Sequence, residues 1–146
     1  MNVTVLHAYA VQLEDVARME LAELAHALQQ TGERIAALDL DAERDAEQYL
    51  LDMQQGFRVD QVQARLDAMD RVIAARKEME QAQTAFWVQW TSKRDELLDA
   101  MRYRKKLDLM RTRAAQEHRR LQDRHDQQLL DERAWRPSPL RMKERP

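Results

Sequence analysis

Gln54-Gln55-Gly56-Phe57-Arg58 is the stretch on which the fold turns. It holds one of only two glycines, and the three prolines, Pro137, Pro139 and Pro146, all lie in the last ten residues. Gly56 can take the positive φ that ends a helix, and Asp60 just beyond is a suitable N-cap for the next one. The other glycine, Gly32, sits inside an apolar-periodic run, where it costs about 1 kcal/mol relative to alanine. The sequence therefore predicts two long helices, about 5–54 and about 59–136, joined by a turn at about 55–58 and followed by a disordered basic tail over 137–146. The expected fold is all-α, an antiparallel coiled-coil hairpin.

Working outward from the turn, apolar residues recur at helical spacing on both sides. Upstream, Leu6, Tyr9, Leu13 and Val16 form a stripe that shifts by one residue and continues through Leu21, Leu24, Leu28, Ile35, Leu38, Ala42 and Tyr49 to Met53. Downstream, Val59, Val62, Leu66, Met69 and Ile73, then Trp87, Trp90, Leu97, Met101, Leu107, Met110, Ala114 and Leu121 form a second, with polar intrusions at Arg76, Glu80, Gln83 and Arg94. Long helices of this kind gain most of their stability by burying an apolar face, so the turn is expected to fold one stripe onto the other. Folding about residue 57 brings position i near position ~114 minus i. That places Leu38 near Arg76, and Trp87 over Ala27 with Ala22 and Ala25 close by. The first helix is then exhausted when the second has reached only Asp108. Roughly 28 residues, about 40 Å of helix, are left from Leu109 to Arg136 as an unpaired, basic overhang. Such a helix is marginal alone and gains by docking, which makes it the leading candidate for a partner-binding element.

Composition agrees with thin helices. Charged residues make up 34% of the 146-residue chain and aromatics 5%, too polar for a thick globular core, while 44% hydrophobic residues are too many for a disordered chain. Cysteine is absent, which removes disulfides, thiolate nucleophiles and sulfur-ligated metals. The first residues do not read as a signal peptide and no stretch approaches the roughly 20 apolar residues of a membrane span, so a soluble, cytoplasmic protein is expected. The net charge of −2 conceals a division: residues 1–101 hold ten Lys/Arg against nineteen Asp/Glu, and residues 102–146 hold fourteen against seven.

Chemistry-bearing patterns are few. His118 and His125 share a helix face but stand about two turns, roughly 10 Å, apart, too far to grip one ion, so no metal is expected. Carboxylates abound without a concave pocket to perturb them, and phosphate-loop, nucleophile-elbow and zinc-protease motifs are missing; neither enzyme activity nor a cofactor is expected. The run Arg102-Tyr103-Arg104-Lys105-Lys106, with Arg111, Arg113, Arg119 and Arg120, is interleaved with Asp108, Glu117 and Asp123 and lacks stacking aromatics, which argues against nucleic acid. Within Phe86-Trp87-Trp90 the two adjacent residues cannot both face the seam, so one of them is a candidate contact for another protein. Tyr49, Met53 and Phe57 near the turn are further candidates.

The run Asp126-Gln127-Gln128-Leu129-Leu130-Asp131-Glu132-Arg133-Ala134 resembles the Asp-Gln-x-x-x-Asp-Glu-x-Ala ending of the flagellar FliJ family. The basic segment Arg104-Lys105-Lys106-Leu107, Tyr49 near the end of the first helix, and the two-helix plan are similar to it as well. The resemblance implies a stalk that inserts in a hexameric export ATPase ring, contacts a membrane export-gate protein and export chaperones, is monomeric alone, and associates peripherally with the inner-membrane export apparatus. The equivalent stalk of a virulence injectisome has the same architecture, and a general coiled-coil adaptor is the reading outside secretion. On this resemblance the ring is expected to meet the projecting helix at Arg111, Arg113, Arg119, Arg120, Arg124, Asp126, Gln127, Asp131, Glu132 and Arg133. The gate is expected near Tyr49, with Met53, Phe57, Phe86 and Trp90 as other contacts.

Overall fold

The computed structural model describes residues 2–135, so the expected tail over 137–146 lies outside the described residues. Two helices, α1 (Val3–Gln55) and α2 (Val59–Trp135), pack against each other as an antiparallel hairpin, and the described residues include no strand. Asn2 caps α1, its side-chain Oδ1 accepting from the Thr4 amide at 3.0 Å. Gly56 has φ +85°, the left-handed conformation that lets α1 stop and the chain reverse within three residues. Space is not what requires glycine there, because nothing lies within 4 Å of an added Cβ. Gly56→Ala is expected to cost about 1–2 kcal/mol from backbone conformation alone. At Gly32 the nearest atom to an added Cβ is Gln83 Nε2 at 4.0 Å, so Gly32→Ala is expected to stabilise by about 1 kcal/mol. Urea unfolding of the two variants should move in opposite directions.

The chain divides into two compact units. One is Gln12–Met101; the other joins its two flanking segments, of which residues 2–11 and 102–135 are described. In the first unit the more enclosed residues of α1 alternate by threes and fours: Glu14, Ala17, Leu21, Leu24, Leu28, Thr31, Ile35, Leu38, Ala42. Those of α2 do the same through Val62, Arg65, Met69, Val72, Arg76, Met79, Gln83, Phe86, Trp90, Lys93 and Leu97. This is the heptad rhythm of a coiled coil. Thr31, buried, satisfies its hydroxyl on the Ala27 carbonyl at 2.7 Å.

Two sequence expectations are corrected here. The stripe does not run through Leu13 and Val16, which are exposed; Glu14, 2% exposed, and Ala17 take the seam positions, in phase with Leu21 and Leu24 and without the one-residue shift. Likewise Leu66 and Ile73 lie outside, while the expected polar intrusions Arg76 and Gln83 do sit in the seam. The seam tolerates them because α1 answers with carboxylates. Arg76 Nε donates to Asp39 at 2.6 Å, Lys93 Nζ reaches Glu20 at 2.6 Å, and Arg65 lies 3.8 Å from Asp45 and 3.4 Å from Asp52. These pairs fall close to the expected register. Arg76 also pairs with Glu80 on its own helix. Hydrogen bonding to Asp39 raises the Arg76 pKa, and that to Glu20 raises the Lys93 pKa. A lysine whose folded pKa is raised stabilises fully below its ordinary value of about 10.4 and loses that contribution as pH climbs through the folded value. On the lysine side, the Glu20–Lys93 pair therefore weakens as pH climbs through that raised value.

In the second unit α1 meets α2 through Ala10 and Leu107, both buried, and through a polar cluster. The His7 imidazole bonds to the Asp108 carboxylate through Nε2 and accepts from Arg111 Nη1 at 3.0 Å through Nδ1. Arg104 donates to the same Asp108 at 2.7 Å. Tyr9, expected in the seam, is exposed.

Candidate functional site, a bare helix beyond the hairpin

Past the His7 cluster, every residue of α2 from Leu109 to Trp135 is exposed. Beyond Arg111 the helix makes short-range side-chain hydrogen bonds: Thr112 to the Asp108 carbonyl at 2.9 Å, Arg120 to Glu117 at 2.9 Å, and Gln127 to Asp131 at 3.2 Å. All ten expected contacts of the projecting helix, Arg111 to Arg133, thus sit on surface-exposed helix. Arg111 alone among them touches α1. Asp126 and Arg133 flank Leu129 and Leu130 in a shallow cleft.

Charge on this element is distributed differently from the expectation. Residues 102–113 hold six Lys/Arg and one Asp, whereas 114–135 hold four Arg against five Asp/Glu. The overhang is therefore basic at its root and nearly neutral along its length. At the root the charges sort by face. Arg102, Lys105, Lys106 and Arg113 share one side of the helix at about 100° per residue. Of the acids that interrupt the sequence, Asp108 turns to His7 and Arg104, and Glu117 is taken by Arg120.

The aromatic candidates fall into two groups, both in the unit Gln12–Met101. Tyr49 and Phe57 tilt against each other across the turn, centroids 5.8 Å apart, with Met53 exposed beside them. This contact helps close the reversal and leaves both rings half-buried. In the other group Phe86 is the inward member and Trp87, 57% exposed, the outward one. The expectation that Trp87 plugs the seam is corrected: the heptad phase set by Met79 and Gln83 puts Phe86 there. Trp87 stacks on Trp90, centroids 5.3 Å apart and planes 12° apart, and the Arg94 guanidinium lies 5.5 Å over Trp90. Leu28, Gln83, Thr84 and Trp87 line a shallow depression there. Trp87 is thus the exposed aromatic that the sequence reading passed over in favour of Phe86.

Among the described residues no group of His, Cys, Asp or Glu converges on a metal position, and no helix is long and apolar enough to cross a membrane. A paired hairpin with one helix running on bare defines a coiled-coil protein whose available chemistry is contact with other macromolecules. The sequence-family model described as Flagellar FliJ protein matches residues 3–138, and the chain belongs to that family, a component of the flagellar export apparatus. No curated protein and no solved structure matched.

Proposed function

We propose that this chain is a non-enzymatic stalk of the flagellar export machinery, whose bare α2 extension enters the hexameric export ATPase ring and promotes its assembly and hydrolysis. The observation that carries this reading is the full exposure of α2 from Leu109 onward, on a helix held at its root by Leu107 and the His7–Asp108–Arg111 cluster. The basic root from Arg102 to Arg113 supplies electrostatic attraction to an acidic surface and speeds encounter. The turn end, with Tyr49, Met53 and Phe57, is left for the membrane export gate, and the Trp87–Trp90 stack for export chaperones, with the protein held at the inner membrane through these partners.

Mixing the chain with the cognate ATPase is the test. Hydrolysis and hexamer content, followed by phosphate release and sedimentation, should rise with added chain. No change over a wide range of ratios refutes the stalk reading. Lys105→Glu with Lys106→Glu should weaken the effect severalfold at low salt and much less at high salt, because screening already removes most of that attraction.

A further inference from the structure

The coiled-coil seam of α2 does not stop where α1 stops. Leu97, Arg104, Arg111, His118 and His125 continue one heptad position, and Ala100, Leu107, Ala114 and Leu121 continue the other. Up to Arg111 this face is covered by α1; from Ala114 onward it is bare. At the point of change, Asn2, Val3 and Thr4 at the head of α1 and Asp108, Arg111 and Ala115 of α2 border an open cleft. Three cations that the seam of α2 places under α1 are met by carboxylates of the facing helix, Asp45 and Asp52 for Arg65, Asp39 for Arg76 and Glu20 for Lys93, while Arg111 meets the His7 imidazole. His118 and His125 carry the same pattern of basic positions one and two heptads past Arg111, now with nothing opposite.

We infer that the bare seam around Ala114, His118, Leu121 and His125 receives a helix of another protein, laid antiparallel in continuation of α1 and carrying carboxylates at heptad spacing opposite the histidines. The inference uses the seam geometry and stands apart from the ring reading, which concerns where the overhang goes rather than which face it presents. Small Ala114 and larger Leu121 give the incoming helix a place for one bulky and one small side chain in turn. Polar seam residues keep the surface soluble while unoccupied and select the acidic partner when it comes. No other element packs on His118 or His125, and their neighbours one turn away, Ala114, Ala115, Leu121, Gln122, Gln128 and Leu129, are uncharged.

The probe is a labelled synthetic helical peptide of four heptads with Leu and Ala on its seam and Glu beside it, compared with the same peptide bearing Gln for Glu. Binding to the full chain is read by anisotropy. The Glu peptide should bind about tenfold more tightly than the Gln peptide at low salt, and the gap should narrow at high salt. The double variant His118→Gln/His125→Gln should lose the preference for Glu. His118→Glu/His125→Glu should instead prefer a Lys peptide, an exchange that mere loss of structure cannot produce; circular dichroism checks that the helix persists. Equal binding of Glu and Gln peptides, or unchanged binding by a chain ending after Thr112, overturns the inference. So does concentration-dependent self-association abolished by Leu121→Glu, which would assign the face to a second copy.

Discussion

Ending the chain after Thr112 is expected to abolish its effect on the export ATPase while leaving the hairpin's thermal midpoint within about 2–4 °C of the full chain, the shift of roughly 1 kcal/mol or less. Among the described residues the helix removed buries no side chain, and its Arg120–Glu117 and Gln127–Asp131 bonds stay within it. Its backbone helicity is propagated from the hairpin, which has already met the unfavourable cost of nucleation, so the extension follows the hairpin's stability without adding to it. Far-ultraviolet circular dichroism should fall by the helical signal of the deleted segment, with the transition still cooperative. In the full chain, amide exchange should be fastest towards Trp135, and slow along the extension from Leu109 only when the ATPase is bound. A large drop in midpoint would mean that the extension packs on the hairpin. Undiminished stimulation of the ATPase would move the contact to another part of the chain.

The reversal at Gly56, the two helices and the length of the extension were legible because they depend on single breakers and on arithmetic: one glycine able to take positive φ, no proline before Pro137, and arms of unequal length. Which side of each helix is buried was less legible, and the two failures share a cause. Around Tyr9, Leu13 and Val16 the apolar residues lie off the seam, while His7, Ala10, Glu14 and Ala17 lie on it. The seam phase is fixed collectively by the longer run of Leu21, Leu24, Leu28 and Leu38 and carried to the N-terminal turns by helix continuity, whatever the local side chains prefer. The same holds at Phe86 and Trp87, where the larger ring was expected inside and the phase puts it out. Cross-helix pairs such as Asp39–Arg76 were hidden for another reason: a basic residue in a seam reads as a defect until the carboxylate that faces it, 37 residues away in the chain, is seen. Of the candidate contacts, sequence spacing found the exposed extension, and it missed the sorting of its root charges onto one side because that appears only around the helix.

Replacing Leu38 by Asp is expected to unfold the unit Gln12–Met101 or bring it close to unfolding, whereas Leu40→Asp two residues on should change stability by no more than about 0.5 kcal/mol. Leu38 is 3% exposed on the seam and Leu40 53% exposed on the outer side, so the pair tests the helix phase as well as the packing. Ala10, Ala17, Leu38 and Leu107 are the buried apolar residues, so Leu38 is the one large apolar side chain wholly enclosed in this unit. Removing such a side chain costs about 2–5 kcal/mol by truncation, and a carboxylate in its place adds desolvation. Against a total stability of about 5–15 kcal/mol for a small domain that is decisive. The cross-helix ion pairs cannot compensate, since pairs as exposed as these contribute about 1 kcal/mol or less each. Arg76 is the nearest charge that could rescue the new carboxylate, and it is already engaged by Asp39 and Glu80. Leu38→Asn, measured beside Leu38→Asp in urea, separates loss of packing from burial of charge. Wild-type stability in both would mean that the helices do not meet at Leu38, and the register inferred from Asp39–Arg76 would fall with it.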